Sequence, residues 1–382
     1  MRRRVAVVTG SRAEYGLLYW VLKELHASTE FDLQLIVTGM HLSTEFGMTV
    51  RQIEADGLPI ARRVDMLLAS DSAGAIAKSM ALGLIGFSDA LEALRPELLV
   101  VLGDRFEILA AAEAALVHNV PLVHIGGGDT TEGAIDESIR HAITKMAHLH
   151  LVTNAGAARR VEQMGEDPAR VRIVGNPGLD HLRRTTLLDR EALGQVLGHP
   201  LGARNLLVTF HPVTLEPGAA SRQQQMLLAA LDRLPDAPTL WFTRPNADAG
   251  GRQLASELDA WAAERPLAHV FTSLGQQRYL SLMSHVDAVV GNSSSGLCEA
   301  PSFGIPTVDI GDRQRGRLAA ASVIHCAATA DDIHAAICEA MRMDCSGTVN
   351  PYGDGESTAR ILSALRNFRP DGDVLKKRFR DL

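Results

Sequence analysis

The sequence has few cysteines and no long apolar run. Its four cysteines, Cys298, Cys326, Cys338 and Cys345, lie in the last quarter of the 382 residues, at gaps that match neither a zinc pattern nor a dense disulfide framework. They read as ordinary thiols. No segment approaches the roughly 18 uninterrupted apolar residues of a membrane span, so no membrane partner is expected. The basic start Met1-Arg2-Arg3-Arg4 runs into a strand-like Val5-Ala6-Val7-Val8 rather than a signal-peptide apolar region, which predicts a cytoplasmic protein. Positive charge is also scarce. A net charge of −7 argues against nucleic acid, which clustered Lys and Arg would have to hold, whereas an anionic small ligand needs only a few local arginines. No internal repeat or low-complexity segment stands out.

What is there is an ordinary globular composition, 46% hydrophobic and 22% charged. A chain this long predicts two domains of roughly 150 to 200 residues each. Short Val-, Leu- and Ile-rich runs recur with amphipathic stretches between them, the pattern of βαβ units around a parallel sheet buried on both faces. In the first half these runs are 5–9, 33–38, 98–102, 122–125, 149–153 and 171–174. A second series covers 206–210, 240–243, 269–272, 288–290, 307–310 and 323–326. The break is expected near Gly175-Asn176-Pro177-Gly178, before a charged helical stretch from Leu182 to Leu197. This predicts an α/β chain of two Rossmann-like domains, 1–178 and 179–356, with ligands at the carboxyl ends of the strands and a shared cleft between the domains.

Polar residues gather at the predicted strand ends. The first loop, Thr9-Gly10-Ser11-Arg12-Ala13-Glu14-Tyr15-Gly16, puts a glycine turn, a hydroxyl and an arginine where a helix begins, and helix amino ends attract phosphate. It lacks the G-x-G-x-x-G of a dinucleotide site, and Arg12 reads equally well as a solvated loop charge. Gly103-Asp104-Arg105 offers a carboxylate to move a proton and a guanidinium to hold a diphosphate; the bland alternative is a surface ion pair. The segment from His124 to His141 is the densest in glycine and polar residues. Its carboxylates Asp129, Glu132, Asp136 and Glu137 lie close enough to repel one another, and those partly buried are expected to have raised pKa values suited to taking a proton from carbon. Asp136 to Arg140 also reads as a capped first helical turn.

In the second half, Phe210-His211-Pro212 and Arg244-Pro245-Asn246-Ala247-Asp248 each follow a strand. A lone histidine such as His211 reads first as structural. Gly291-Asn292-Ser293-Ser294-Ser295-Gly296 is a hydroxyl-rich strand-to-helix turn suited to phosphate, with Glu299 one turn on to meet ribose hydroxyls. Gly311-Asp312-Arg313-Gln314-Arg315-Gly316-Arg317 and Asn350-Pro351-Tyr352-Gly353-Asp354-Gly355 follow.

Together, and in this order, G-S-R-A-E-Y-G, G-D-R-F-E, G-G-D-T-T-E-G-A-I-D-E-S-I-R-H-A-I-T-K, H-P-V-T, G-N-S-S-S-G, D-R-Q-x-G-R and N-P-Y-G-D-G resemble the UDP-N-acetylglucosamine 2-epimerase family. The R-A-E-Y loop and the I-D-E-S-I-R-H-A-I-T-K helix resemble its hydrolysing branch, used in sialic-acid and legionaminic-acid synthesis. The resemblance implies a GT-B fold with a carboxy-terminal helix, about 357–382, crossing back to the first domain, and uridine diphosphate held by the second. Arg12, Arg105, Asn246, Ser293, Ser294, Ser295, Glu299 and Arg313 would contact nucleotide. Asp104, Asp136 and His211 would line the sugar, with His41 and Asp180 as further candidates.

One position departs from the family. Relatives acting on UDP-N-acetylglucosamine commonly carry glutamate two residues after the loop histidine, where this chain has Gly126. Asp129 and Glu132 are the nearest replacements, and a 2,4-diacetamido-2,4,6-trideoxy sugar becomes a substrate candidate beside N-acetylglucosamine. The implied reaction removes the C2 proton as the nucleotide leaves C1, then adds water to the glycal; it calls for no metal or cofactor. A homodimer is expected. A GT-B glycosyltransferase, a non-hydrolysing epimerase and a non-catalytic nucleotide-binding regulator are the competing readings.

Overall fold

The computed structural model describes residues 2–70, 72–131, 135–211, 219–244, 251–272, 274–370 and 373–381. The chain divides into two compact units, one of residues 1–181 with 352–382 and one of 182–351.

The first unit is built on seven strands: β1 (Arg3–Thr9), β2 (Phe31–Thr38), β3 (Ile60–Val64), β4 (Leu98–Leu102), β5 (Leu122–Ile125), β6 (Leu149–Val152) and β7 (Val171–Ile173). They pair in the order β3-β2-β1-β4-β5-β6-β7, with each neighbouring pair parallel. Parallel strands are covered on both faces and so read as continuous apolar runs. On one face Leu18, Leu22 and Leu25 of the helix Arg12–Ala27, with Ile361 and Leu365 of the helix Ser357–Asn367, pack on Val5, Val7, Leu35 and Val37. On the other, Phe87, Ile108, Ala111 and Ile143 pack on Ala6, Val8 and Val101. Burying each of the larger side chains is worth roughly 1.5–3 kcal/mol.

Strand β3 was not expected. It lies at one edge of the sheet, and Arg62 and Arg63 within it are exposed, so it lacks the apolar run that marks the central strands. The expected helix from Leu182 to Leu197 is two helices, Asp180–Arg184 and Arg190–Leu197. They separate because Asp189 adopts an extended backbone and accepts a hydrogen bond from Ala192 N, starting the second helix afresh.

By length and composition the helix Ala73–Leu94 reaches the level of a membrane span, with mean hydropathy 1.2 over an 18-residue window. Lys78, Ser79, Ser88 and Asp89 break its apolar residues into shorter runs. It packs as a layer of the first unit through Phe87, Ala90 and Leu91 and leaves Leu82, Leu84 and Ile85 exposed.

The second unit holds β8 (Asn205–Thr209), β9 (Thr239–Thr243), β10 (Ala268–Phe271), β11 (Ala288–Gly291), β12 (Thr307–Ile310) and β13 (Val323–Cys326), in the parallel order β10-β9-β8-β11-β12-β13. Each sheet reverses its strand order once, between β1 and β4 and between β8 and β11. In such sheets ligands bind beyond the carboxyl ends of the strands at that reversal.

Candidate active site

At the reversal of the first sheet, the loop after β1 is held from beneath. Ser11 and Glu14 form a reciprocal capping box. One Glu14 oxygen accepts from Gly10 N at 2.7 Å and from Ser11 N at 3.2 Å. Those N–H groups, expected to attract phosphate, are therefore already engaged, while Arg12 on the first helical turn is exposed.

The loop after β4 carries Asp104 and Arg105, and the helix Phe106–Val117 begins just beyond it. Arg105 Nε donates to Glu107 Oε1 at 2.6 Å and lies 3.9 Å from Glu14 Oε1. Glu107 is fully buried and Glu14 nearly so.

After β5 the chain turns through Gly126 and Gly128, both in the left-handed region (φ +85° and +78°). A side chain at Gly126 would have open space but a strained backbone, so this loop geometry itself disfavours a glutamate at this position. The turn brings Asp129 Oδ1 to accept from Thr153 Oγ1 at 2.6 Å, and Asp129 is half-buried.

The helix Ile135–Met146 follows, with Asp136 and Glu137 in its first turn. One turn on is Arg140, within the I-D-E-S-I-R-H-A-I-T-K motif. Buried almost completely, it organises the whole rim. Its Nε donates to Asp104 Oδ2 at 2.8 Å, and its Nη2 donates to the same oxygen and to Thr131 Oγ1 at 2.7 Å. Its Nη1 reaches Glu137 Oε2 at 2.9 Å and Asp129 O at 2.6 Å. The signal that could have found it is the spacing: an arginine four residues after Asp136 lies on the same helical face.

The carboxyls here diverge. Burial pushes Asp136 above its ordinary value, the Asp104 charge adds to the rise, and Arg105 and Arg140 oppose it. Burial also pushes Glu137 up, but the Thr131 N–H at 2.5 Å, Arg140 and His141 outweigh it and hold Glu137 low. The expectation of raised values thus applies to Asp136 and not to Glu137. A basic Asp136 beside a fixed Asp104 is suited to accepting a proton from carbon. Glu132 lies outside the described residues.

Two residues expected to contact ligand are buried with partners of their own. His41 is fully buried, with Nε2 3.0 Å from Thr9 Oγ1 and Nδ1 2.8 Å from Thr49 Oγ1, and burial lowers its pKa to about 4. Asp180, also fully buried, accepts from Ser357 N at 2.8 Å and Thr358 N at 2.6 Å. It anchors the start of the helix Ser357–Asn367, which is why the first unit extends past Gly178 and takes up the chain again at Tyr352. A sequence cannot tell a polar residue buried with partners from one that faces a ligand.

In the second unit, Gly291 ends β11 at φ +138°, and a Cβ there would meet Thr209 O at 1.9 Å. Only glycine allows β8 and β11 to close in this way. Asn292, fully buried, then ties the two strand ends together: His211 N donates to its Oδ1 at 2.7 Å, and its Nδ2 donates to His211 O at 2.9 Å. Arg313 Nη1 and Gln314 Nε2 donate to Asn292 O at 2.9 and 2.8 Å. His211, Ser293, Ser294, Ser295 and Arg313 are thus gathered at the reversal of this sheet. Ser293 caps the short helix Ser294–Cys298, and the Tyr279 hydroxyl lies 2.5 Å from Ser295 Oγ. Glu299 follows; burial raises its pKa to about 7, and no hydrogen bond to its carboxyl is seen among the described residues. Asn246 lies outside those residues.

The sequence profile of the UDP-N-acetylglucosamine 2-epimerase family matches residues 23–366. The chain belongs to this family. It is 40% identical over 324 residues to the GDP/UDP-N,N'-diacetylbacillosamine 2-epimerase (hydrolyzing) of Campylobacter jejuni, covering 85% of this chain and 84% of that one. To the UDP-N,N'-diacetylbacillosamine 2-epimerase (hydrolyzing) of Legionella pneumophila it is 34% identical over 377 residues, 99% of both chains. These matches put it among the hydrolysing UDP-sugar 2-epimerases, ahead of the glycosyltransferase and non-hydrolysing readings. The fold is similar to that of UDP-GlcNAc 2-epimerase from Neisseria meningitidis, solved bound to UDP-GlcNAc, with a TM-score of 0.80 at 17% identity over 96% of this chain and 100% of that one. The two doubly wound units are of the GT-B type.

Proposed function

We propose that this epimerase converts UDP-2,4-diacetamido-2,4,6-trideoxyglucose, in preference to UDP-N-acetylglucosamine, to UDP and the free manno-configured sugar for nonulosonic acid synthesis. A carboxylate, Asp136 or Asp129, takes the C2 proton as the C1–O bond breaks and its electron pair leaves with UDP. The resulting glycal adds water: hydroxyl bonds to C1 and a proton is delivered to C2 on the opposite face. Asp104, fixed by Arg140, lines the sugar. Arg12 and Arg105 take up charge on the departing diphosphate. His211 also lines the sugar, while Ser293, Ser294, Ser295, Glu299, Arg313 and Asn246 serve the nucleotide.

The observation that carries this reading is the Arg140 cluster, which sets one carboxylate at a fixed place beside another of raised pKa. The diacetamido sugar is favoured by the names of the two relatives above and by the rebuilt loop at Gly126 and Asp129. A cytoplasmic homodimer completes the proposal. Support for the dimer comes from the exposed Leu82, Leu84, Ile85, Leu116 and Val117 on two helices that pack together, an apolar face suited to a second copy.

The test incubates the protein with UDP-N-acetylglucosamine, the UDP-diacetamido sugar and their GDP counterparts, and follows released nucleotide. Fastest release of UDP from the diacetamido sugar, without an acceptor, is expected. UDP-bound epimer as the product, or release only with an acceptor, would refute the proposal.

A further inference from the structure

Glu14 and Glu107 belong to the first two motifs but take no part in the proposed reaction. Both are buried, and both flank Arg105 Nε, at 3.9 and 2.6 Å. Glu107 is wedged against the first loop: a Cβ on Gly10 would meet its Cγ at 2.5 Å, and one on Gly39 would meet its Oε1 at 3.3 Å. Glu14 Oε2 is filled by two backbone N–H groups. Among the described residues, no donor reaches Glu14 Oε1 or Glu107 Oε2.

Two ionised carboxylates against one guanidinium would leave a buried net charge of minus one with two unmet oxygens, an expensive arrangement. A single proton relieves it. Carried on Glu14 Oε1, it removes one of the two buried negative charges and leaves one carboxylate matched to one guanidinium. We propose that Glu14 is a neutral carboxylic acid beside an ionised Glu107, and that this pair is a positioning device holding Arg105 by its Nε. Its terminal nitrogens, one of them resting 3.5 Å from Met40 Sδ, are then left for a diphosphate, a clause that rests on the function proposed above.

Burial, then the Glu107 charge, raises the Glu14 pKa to about 8, against the pull of Gly10 N, Arg105 and Ser11 N. The charged groups facing the pair are Arg105 and, beyond it, Asp136. His41, next to the Ser11 backbone, stays neutral because it is buried.

The test is infrared difference spectroscopy of the whole protein across pH, wild type against Glu14→Gln, together with kcat/KM profiles of wild type, Glu14→Gln and Glu14→Ala. Expected is a protonated-carboxyl band at neutral pH that shifts in deuterated water, titrates away near pH 8 and is absent in Glu14→Gln. In the kinetics, wild-type kcat/KM falls above about pH 8. Glu14→Ala loses on the order of tenfold at neutral pH, the scale of a lost charge-assisted hydrogen bond, and Glu14→Gln recovers most of that without the alkaline fall. Absence of the band in wild type overturns the proposal, and so does a Glu14→Gln variant as impaired as Glu14→Ala. The spectrum needs no substrate, so a protein that shows the band but hydrolyses no nucleotide sugar overturns the proposed function and not the neutral Glu14.

Discussion

Arg140 donates through both Nε and Nη2 to a single oxygen of Asp104, Oδ2, so the other carboxylate oxygen takes no part in the pair. The guanidinium fixes the direction in which that free oxygen is presented. A planar fork is needed to do this while also reaching Thr131, Glu137 and the Asp129 carbonyl.

Arg140→Lys is therefore not conservative. One ammonium cannot make these contacts, and kcat should fall by on the order of a hundredfold, as when a positioned electrostatic group is lost, with KM changed much less. Arg140→Met, which leaves Asp104 uncompensated, should also destabilise the protein by about 3 kcal/mol. Steady-state UDP release and urea unfolding check the two effects.

The Asp136 pKa is raised from its ordinary value because it is buried and because Asp104 lies near it. As a base it must be ionised, so activity is lost as pH falls through this raised value. Asp104→Asn removes a neighbouring charge and should move that acid limb to lower pH. Asp136→Asn should lower kcat by on the order of a thousandfold, within the range of general-base catalysis. The pH dependence of kcat/KM for the three proteins checks both statements.

Asp180 anchors a helix and touches no substrate in the proposed reaction. Asp180→Asn should cost about 1–2 kcal/mol of stability, the scale of a lost cap, and leave KM for the nucleotide sugar unchanged. A raised KM with unchanged stability would return Asp180 to the binding site.

Glu166 receives hydrogen bonds from His150, Lys145 and Lys377. Burial alone would raise its pKa, but these partners outweigh it and bring it down to about 2. A depressed carboxylate adds stability above its unfolded value of 4.5, and this is lost as pH falls toward 2. Glu166→Gln should thus destabilise the protein at pH 7 and lose less than wild type on acidification, as measured by urea unfolding at neutral and acid pH.

Much of the fold is legible in the sequence because parallel strands buried on both faces must be apolar throughout, as Leu98 to Leu102 and Val5 to Val8 are. β3 is not, since an edge strand can expose Arg62 and Arg63. The site is legible where loops at strand ends carry Asp104, Arg105, Asp129 and Ser293. It is less legible at His41 and Asp180, whose burial against Thr9, Thr49, Ser357 and Thr358 comes from tertiary contacts that no local pattern shows. Arg140 is hidden in the sequence because its contacts with Asp104 and Thr131 are tertiary, and no local pattern contains them.

The most direct test of the elimination chemistry is the reaction of the UDP-diacetamido sugar in deuterated water, with mass and proton spectra of the released sugar. One deuterium at C2 of a free manno-configured product is the expected result. Product that keeps its original C2 hydrogen would contradict proton removal by Asp136 or Asp129, and with it the glycal route.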